Sequence, residues 1–402
     1  MLNVAVLGFG VVGSGAVEVI DRNSDKIAYN AGQGIRVKHI LDVRDFSDSP
    51  YKDLFAKDFE TIENDPEVKI VVETIGGVGA AFEYTKRSLK AGKSVVTSNK
   101  ELVAMHGFEL MELAKEKSAS YLFEASVGGG IPIIRPLAQC MAANQINEIY
   151  GILNGTTNYI LTEMLKNGAD FSGALLDAQK KGYAEADPTA DIDGHDACRK
   201  ICILSSLAFG RHVYPDYVPA EGIRSVTPHD MTFAGNLGYK IKLLGRARNV
   251  ADKVSAYVAP HLISTDSLLS GVDGVMNGIV VRGNVVGDVM FHGAGAGKLP
   301  TASAVVADII DIAKHIGAGQ LISWAQGDES AVTDQSQLES SWYVRTDASR
   351  EMAERVFGEI VYAGEIGSVS AFKTAFMNYS KVKSLLDRGI PALSLFRVLG
   401  DY

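Results

Sequence analysis

Apolar positions over the first third of the chain come in short unbroken runs separated by stretches with helical spacing. Residues 4–7 are apolar throughout, the pattern of a strand covered on both faces of a parallel sheet. Residues 35–43, 70–73, 94–97 and 121–124 predict four more strands, with helices at 14–20, 80–91 and 108–117 between them. Such alternation implies right-handed crossovers and a doubly wound α/β sheet. Beyond Gly130 the rhythm changes. A helical stretch over 131–143 opens with Pro132, residues 147–158 lead into a helix that runs to 165, and another helix spans 193–209. Residues 254–258, 278–286 and 288–291 predict strands of a more open sheet, so the middle of the chain reads as an α+β domain. Residues 302–316 are strongly helical and 328–340 read as a polar linker. The tail from 341 gives strand, helix (351–360), strand, helix (381–388) and strand (392–399).

A length of 402 residues fits two or three domains of this kind. The formal net charge of −9 argues against nucleic acid or an anionic membrane as partner, leaving small molecules open. Cys140, Cys198 and Cys202 have no framework spacing and read as reduced thiols of a cytoplasmic protein. The N-terminus enters a strand with no basic leader, and no apolar run nears the roughly 18 residues of a membrane helix.

Gly8-Phe9-Gly10-Val11-Val12-Gly13 lies between the first strand and the first helix. Glycines there let the backbone turn tightly and approach a pyrophosphate, and the helix N-terminus offers free N–H groups. A dinucleotide is the expected ligand and a Rossmann-type sheet the expected fold. The second strand ends Leu41-Asp42-Val43-Arg44-Asp45. An acidic residue there suits the ribose 2′-OH of NAD, whereas Arg44 suits the 2′-phosphate of NADP, so the preference stays open. Thr74 follows the third strand. Ser98 and Lys100, in Thr97-Ser98-Asn99-Lys100, follow the fourth, at the edge where such sheets bind ligands. Gly293-Ala294-Gly295-Ala296-Gly297-Lys298 is no triphosphate loop: His292 replaces the first glycine and Leu299 the Ser or Thr. Pro300 and Thr301 mark a helix start instead, and the loop, Gly297 included, is expected over a ligand. The glycines of Glu124-Ala125-Ser126-Val127-Gly128-Gly129-Gly130-Ile131 allow either a cation-binding carbonyl turn or a plain crossover.

The densest chemistry is Gly182-Tyr183-Ala184-Glu185-Ala186-Asp187-Pro188-Thr189-Ala190-Asp191-Ile192-Asp193-Gly194-His195-Asp196-Ala197-Cys198-Arg199-Lys200. Asp196 and Lys200 share one helix face, and the apolar turns that follow predict that this pair is shielded. A lysine held by an aspartate in a dry cleft can protonate a carbonyl oxygen as hydride arrives. Glu185 and Asp191 would then hold a substrate ammonium. His195, Cys198 and Cys202 lie on one straight helix and do not close a zinc tetrahedron. No cysteine stands in Asn154-Gly155-Thr156-Thr157, which favours simple hydride and proton transfer over an acylating, thioester-forming reaction.

Taken together, GFGVVG, TSNK, EASVGGGIPII, NGTTNYIL (154–161), the acidic segment and GAGAGKLPTASAVVAD resemble homoserine dehydrogenases over roughly residues 1–320. The resemblance implies NAD(P)-dependent interconversion of L-aspartate 4-semialdehyde and L-homoserine, in the biosynthesis of threonine, methionine and isoleucine. It implies Lys200 as proton donor with Asp196 beside it, Glu185 as ligand of the substrate amine, and Tyr183, Thr156 and Asp191 as pocket lining. Lys100 would stand where cofactor and substrate meet. The carbonyls of Glu124, Val127, Gly129 and Ile131 would form a turn for a monovalent cation, Na or K. The implied organisation is an NAD(P)-binding domain over 1–133 completed by a helix near 301–320, a substrate and dimerisation domain over 134–300, and a degenerate ACT-like domain over 340–402. A homodimer or homotetramer is implied. The tail lacks an evident glycine in Thr346-Asp347-Ala348-Ser349-Arg350 and reads as one strand short, so a structural or oligomer-forming role competes with effector sensing. A nucleotide-dependent sensor without activity, and a dehydrogenase of another amino acid, are the competing functions.

Overall fold

The computed structural model describes residues 1–320 and 322–400; the last two residues of the expected tail domain lie outside the described residues. The chain divides into two compact units. One comprises Met1–Gln145, Cys202–Pro215 and Gly293–Asp328, and the other Ile146–Ile201, Asp216–His292 and Glu329–Tyr402.

The first unit is built on a parallel sheet of β1 (Leu2–Leu7), β2 (Ile35–Leu41), β3 (Val68–Glu73), β4 (Ser94–Thr97) and β5 (Tyr121–Leu122). Their order, β2-β1-β3-β4-β5, reverses direction of growth between β1 and β3. That is the switch point at which doubly wound sheets open a crevice. Every residue of β1 is buried, because helices cover both faces. The helix Val11–Arg22 packs on Lys298–Lys314, and a Cβ on Gly15 would sit only 2.9 Å from the Lys298 carbonyl oxygen, so glycine sets that approach.

Two expectations for this unit change. The segment 131–143 is not a regular helix but a short π-type turn at Pro136–Cys140. It stays with the first unit because the buried Glu124 carboxylate accepts the N–H groups of Ile133, Ile134 and Arg135 (2.7–2.8 Å). Arg135 in turn pairs with Asp308 and Asp311. The last helix begins at Lys298, three residues before the expected start, and ends at Lys314.

The second unit carries a nine-stranded sheet. Its strands are β6 (Ile146–Ile152), β7 (Tyr239–Val250), β8 (Lys253–Ser264), β9 (Met276–Gly283), β10 (Gly287–Ala294), β12 (Trp342–Thr346), β13 (Ile360–Ile366), β14 (Val369–Thr374) and β16 (Ala392–Leu399). Two short strands, β11 (Glu339–Ser340) and β15 (Met377–Asn378), pair apart from it. The order is β10-β9-β6-β7-β8-β16-β12-β14-β13. The tail supplies four of these strands, one more than the sequence predicts. Residue 360, expected to end a helix, starts β13, which turns through Gly367 (φ 63°) into β14. The helix Arg350–Phe357 ends instead at Gly358, another left-handed glycine. The tail joins the rest of the unit where β16 runs parallel to β8. A second tie is Asp230, fully buried on the helix Pro228–Asn236, which accepts from Tyr343 Oη (2.9 Å) and Arg345 Nε (2.8 Å).

Candidate active site

The glycine turn stands as the sequence implies. Gly8 (φ 88°) leaves β1 with its Cα against Thr74; a Cβ there would lie 2.7 Å from the Thr74 carbonyl oxygen. At Gly13 a Cβ would fall 1.9 Å from the Gly8 carbonyl oxygen, so the turn closes only on glycine. The Thr74 hydroxyl locks the turn by donating to the carbonyl oxygens of Gly8 (2.8 Å) and Leu7 (3.0 Å). Gly8, Gly10, Val11 and Val12 line a cleft of about 940 Å³ with Asp42, Arg44 and Thr74. Phe9 is buried beneath it among Phe46, Tyr51 and Phe55. The cleft opens at the N-terminus of Val11–Arg22, where unsatisfied N–H groups suit a pyrophosphate. These residues therefore fit a dinucleotide. Gly13→Ala is expected to raise the nucleotide Kd at least about 100-fold, read by nicotinamide fluorescence titration; binding within about threefold of wild type would show that the turn is not the pyrophosphate site.

Asp42 and Arg44, left as rivals by the sequence, form one unit. The Asp42 carboxylate accepts from the Phe9 N–H (2.6 Å) and from the Arg44 guanidinium at Nε (2.9 Å) and Nη2 (2.8 Å). The guanidinium, helped by the N–H groups of Phe9 and of Arg44 itself, holds the Asp42 carboxyl well below the usual carboxylate range. Arg44 itself stays more than half exposed at the cleft mouth, where Lys57 also lines the wall. Nothing local in the sequence marked Lys57.

Ser98 and Lys100 sit at the carboxyl end of β4. Lys100 opens the helix Lys100–Glu116, which Asn99 caps through the Leu102 N–H (3.1 Å). The fully buried Glu73 ties this loop to the one after β3, accepting from Thr97 Oγ1 (2.6 Å) and the Ile75 N–H (2.7 Å). Burial pushes its carboxyl up.

The segment Glu124–Ile131 turns through left-handed Gly128 (φ 73°) and Gly129 (φ 53°). With the Glu124 carboxylate committed to three N–H groups, only its carbonyl remains to face a ligand. Among the described residues no cluster of three His, Cys, Asp or Glu side chains suits a metal ion. Gly297 (φ 120°) precedes Lys298–Lys314, and the neighbouring Gly295 carbonyl lies 2.6 Å from where a Gly129 Cβ would be.

The second unit gathers a group of buried ionisable side chains. Lys200 and Asp196, on the helix His195–Phe209, are 8% and 4% exposed, so the predicted shielding is met. Lys200 Nζ donates to Asp196 Oδ2 (2.7 Å) and to the Leu153 carbonyl oxygen (2.8 Å). An ammonium has three protons, and two are committed by these contacts. Asn154, N-cap of the helix Gly155–Asn167, donates from Nδ2 to both Asp191 Oδ1 (2.7 Å) and Asp196 Oδ2 (2.8 Å). Burial, and then the nearby Asp196 charge, push the Asp191 carboxyl up. Thr156 is buried and donates to the Tyr183 carbonyl oxygen (2.6 Å). Tyr183 is 43% exposed, and Glu185 is exposed with its carbonyl held by Gln179 (3.0 Å). The structure thus brings together Lys200, Asp196 and Asp191 and adds Asn154 and the Leu153 carbonyl; it leaves the Glu185 carboxylate outside that hydrogen-bonded group.

A glycine-turn nucleotide fold and a buried lysine–aspartate pair are the equipment of a nicotinamide-dependent oxidoreductase. The family models for homoserine dehydrogenase and for its NAD binding domain match residues 132–310 and 8–124. The chain belongs to the homoserine dehydrogenase family. The homoserine dehydrogenase of Neisseria gonorrhoeae is 40% identical over 97% of this chain and 88% of its own length. The crystal structure of a homoserine dehydrogenase from Thiobacillus denitrificans superposes with a TM-score of 0.89 at 35% identity, covering 99% of this chain and 98% of that one. A hyperthermophilic archaeal homoserine dehydrogenase in complex with NADPH gives a TM-score of 0.65 at 30% identity over 77% of this chain and 97% of its own.

Proposed function

We propose that this oxidoreductase works by donating a proton from Lys200 to the aldehyde oxygen of L-aspartate 4-semialdehyde, yielding L-homoserine. The observation that carries this reading is the ammonium held at 2.7 Å by Asp196 and 2.8 Å by the Leu153 carbonyl. Those two contacts aim one remaining N–H, and burial excludes water that would otherwise compete for it. Bound NAD(P)H supplies the hydride. In the oxidative direction the same lysine, as amine, takes the proton from the alcohol. Asp191 and Glu185 receive the substrate ammonium, with Tyr183 and Thr156 beside them, and Lys100 meets the substrate at its cofactor side. The carbonyls of Glu124, Val127, Gly129 and Ile131 hold a Na or K ion. The protein acts in the cytoplasm as a homodimer or homotetramer, in threonine, methionine and isoleucine biosynthesis. No helix among the described residues is long and apolar enough to cross a membrane. The tail serves a structural role as an ACT-like domain; its strand–helix–strand–strand–helix–strand order, with the strand the sequence left out now present, supports the likeness, and its tie to Asp230 supports the structural role.

Homoserine-dependent reduction of each nicotinamide cofactor tests the reaction. A chain that binds nucleotide without turnover would be a sensor, and one preferring another amino alcohol would shift the substrate. Arg44 and Lys57 at the cleft mouth support acceptance of a 2′-phosphate. Arg44→Ala is accordingly expected to raise KM for NADP about tenfold and leave that for NAD within about twofold. An unchanged NADP constant would remove Arg44 as the phosphate clamp.

A further inference from the structure

We infer that Asn154 is a positioning residue for proton transfer, bridging Asp191 and Asp196 through one amide nitrogen and so aiming Lys200. The inference rests on the assignment of Lys200 as proton donor. Its warrant is the saturation of one side chain. Asn154 Oδ1 accepts the Thr157 N–H (2.8 Å) at the start of Gly155–Asn167, which sets the orientation of the amide and forces Nδ2 toward the carboxylates. Both Nδ2 protons are then used, one on Asp191 Oδ1 and one on Asp196 Oδ2. A single nitrogen thus contacts two carboxylates, which repel one another at that separation. The preceding residue holds Lys200 through its carbonyl, so residues 153 and 154 grip the ammonium and both of its neighbouring anions from one backbone turn.

The charged groups facing Asp191 are Asp196 and Lys200, with Thr156 adding a hydroxyl. Asn154 lowers the Asp191 carboxyl against the burial that raises it. Remove the amide and Asp191 takes up a proton at a higher pH than before. Its ability to receive an ammonium is then lost at that higher pH, so the acid limb of the pH profile moves up. Asp196 loses one of the contacts that orient it, and the Lys200 proton loses its aim.

Asn154→Ser separates this role from helix capping, because a serine hydroxyl caps a helix nearly as well as asparagine but does not bridge two carboxylates. The Ser variant is expected to keep a Tm close to wild type and a nucleotide Kd within about twofold, while kcat for homoserine oxidation falls about 30-fold. The acid limb of kcat/KM for homoserine should move up by about one pH unit. Asn154→Asp keeps the cap too but adds a third carboxylate, and should lower kcat further. A Ser variant with wild-type kcat and an unmoved acid limb would overturn the inference. So would a loss of kcat that merely follows a loss of Tm, with the limb in place. Lys200→Ala assayed alongside separates the two levels. If it retains turnover, the proton-donor assignment itself falls; if it is inactive while the Ser variant behaves as wild type, only the role of Asn154 falls.

Discussion

Lys200→Ala is expected to lower kcat for homoserine oxidation by about 10³-fold, within the range for loss of a positioned proton donor, and to leave the nucleotide Kd within about twofold. The size follows from the geometry. The ammonium is held by Asp196 and the Leu153 carbonyl, and Lys200 is only 8% exposed, so solvent is poorly placed to replace it. Truncation also strands Asp196 in a buried site with its cation gone, which costs stability and disorders the carboxylate that aligned the proton. Lys200→Arg is not expected to restore the rate: a guanidinium keeps its charge but does not give up its proton near neutral pH. Steady-state rates at saturating cofactor and homoserine, with nucleotide binding measured separately, read this directly. Turnover of the alanine variant within tenfold of wild type would remove Lys200 from the chemistry.

The second large effect concerns stability. Asp230→Ala is expected to cost about 3–5 kcal/mol, the usual consequence of removing one partner of a buried ion pair. Asp230 is fully buried and bonds Tyr343, Arg345 and Ser394 (3.3 Å) in the tail. It also completes a capping box with Thr227, accepting from the Thr227 N–H (2.9 Å) at the start of its own helix. Its loss leaves the Arg345 guanidinium without its carboxylate inside the protein. Thermal and denaturant unfolding should show the change, and Asp230→Ala with Arg345→Met should recover part of it, since the stranded charge goes too. A cost below about 1 kcal/mol would mean that the cluster does not hold the tail.

Much of this was legible because its signals are local. The apolar run before Gly8, the glycines that follow and the helix after Gly10 lie within some twenty residues, and they gave the parallel sheet and the nucleotide turn. Asp196 and Lys200 were legible for the same reason, being four residues apart on one helix. Strand β7 was not. Lys240, Lys242, Arg246 and Arg248 interrupt its apolar pattern, and what makes Lys242 and Arg246 tolerable lies on other elements. Lys242 is buried against Asn158 and Asp273, and Arg246 against Glu148 at 2.6 Å, 98 residues away. Asn154 escaped notice as a site residue for a like reason: its two carboxylates are 37 and 42 residues distant, so the sequence shows it only as the first residue of a motif shared with a family. The hairpin of β13 and β14 was hidden by Glu359 and Ile360, which continue the preceding helical spacing until Gly358 is seen to break it.

The seam between β8 and β16 has a further consequence. Only three residue pairs form it, Arg397 with His261, Val398 with Leu262 and Leu399 with Ile263. Without them the margin of β8 over residues 261–263 would present unpaired backbone donors and acceptors, whereas nearer its start Ala220 already bridges Val258 and Val332 bridges Val254. Such a margin is a template on which other chains add strands. Residues 397–399 of β16 thus cap a stretch of β8 backbone on which a strand of another chain could otherwise pair, so deleting β16 is expected to expose an adhesive edge there.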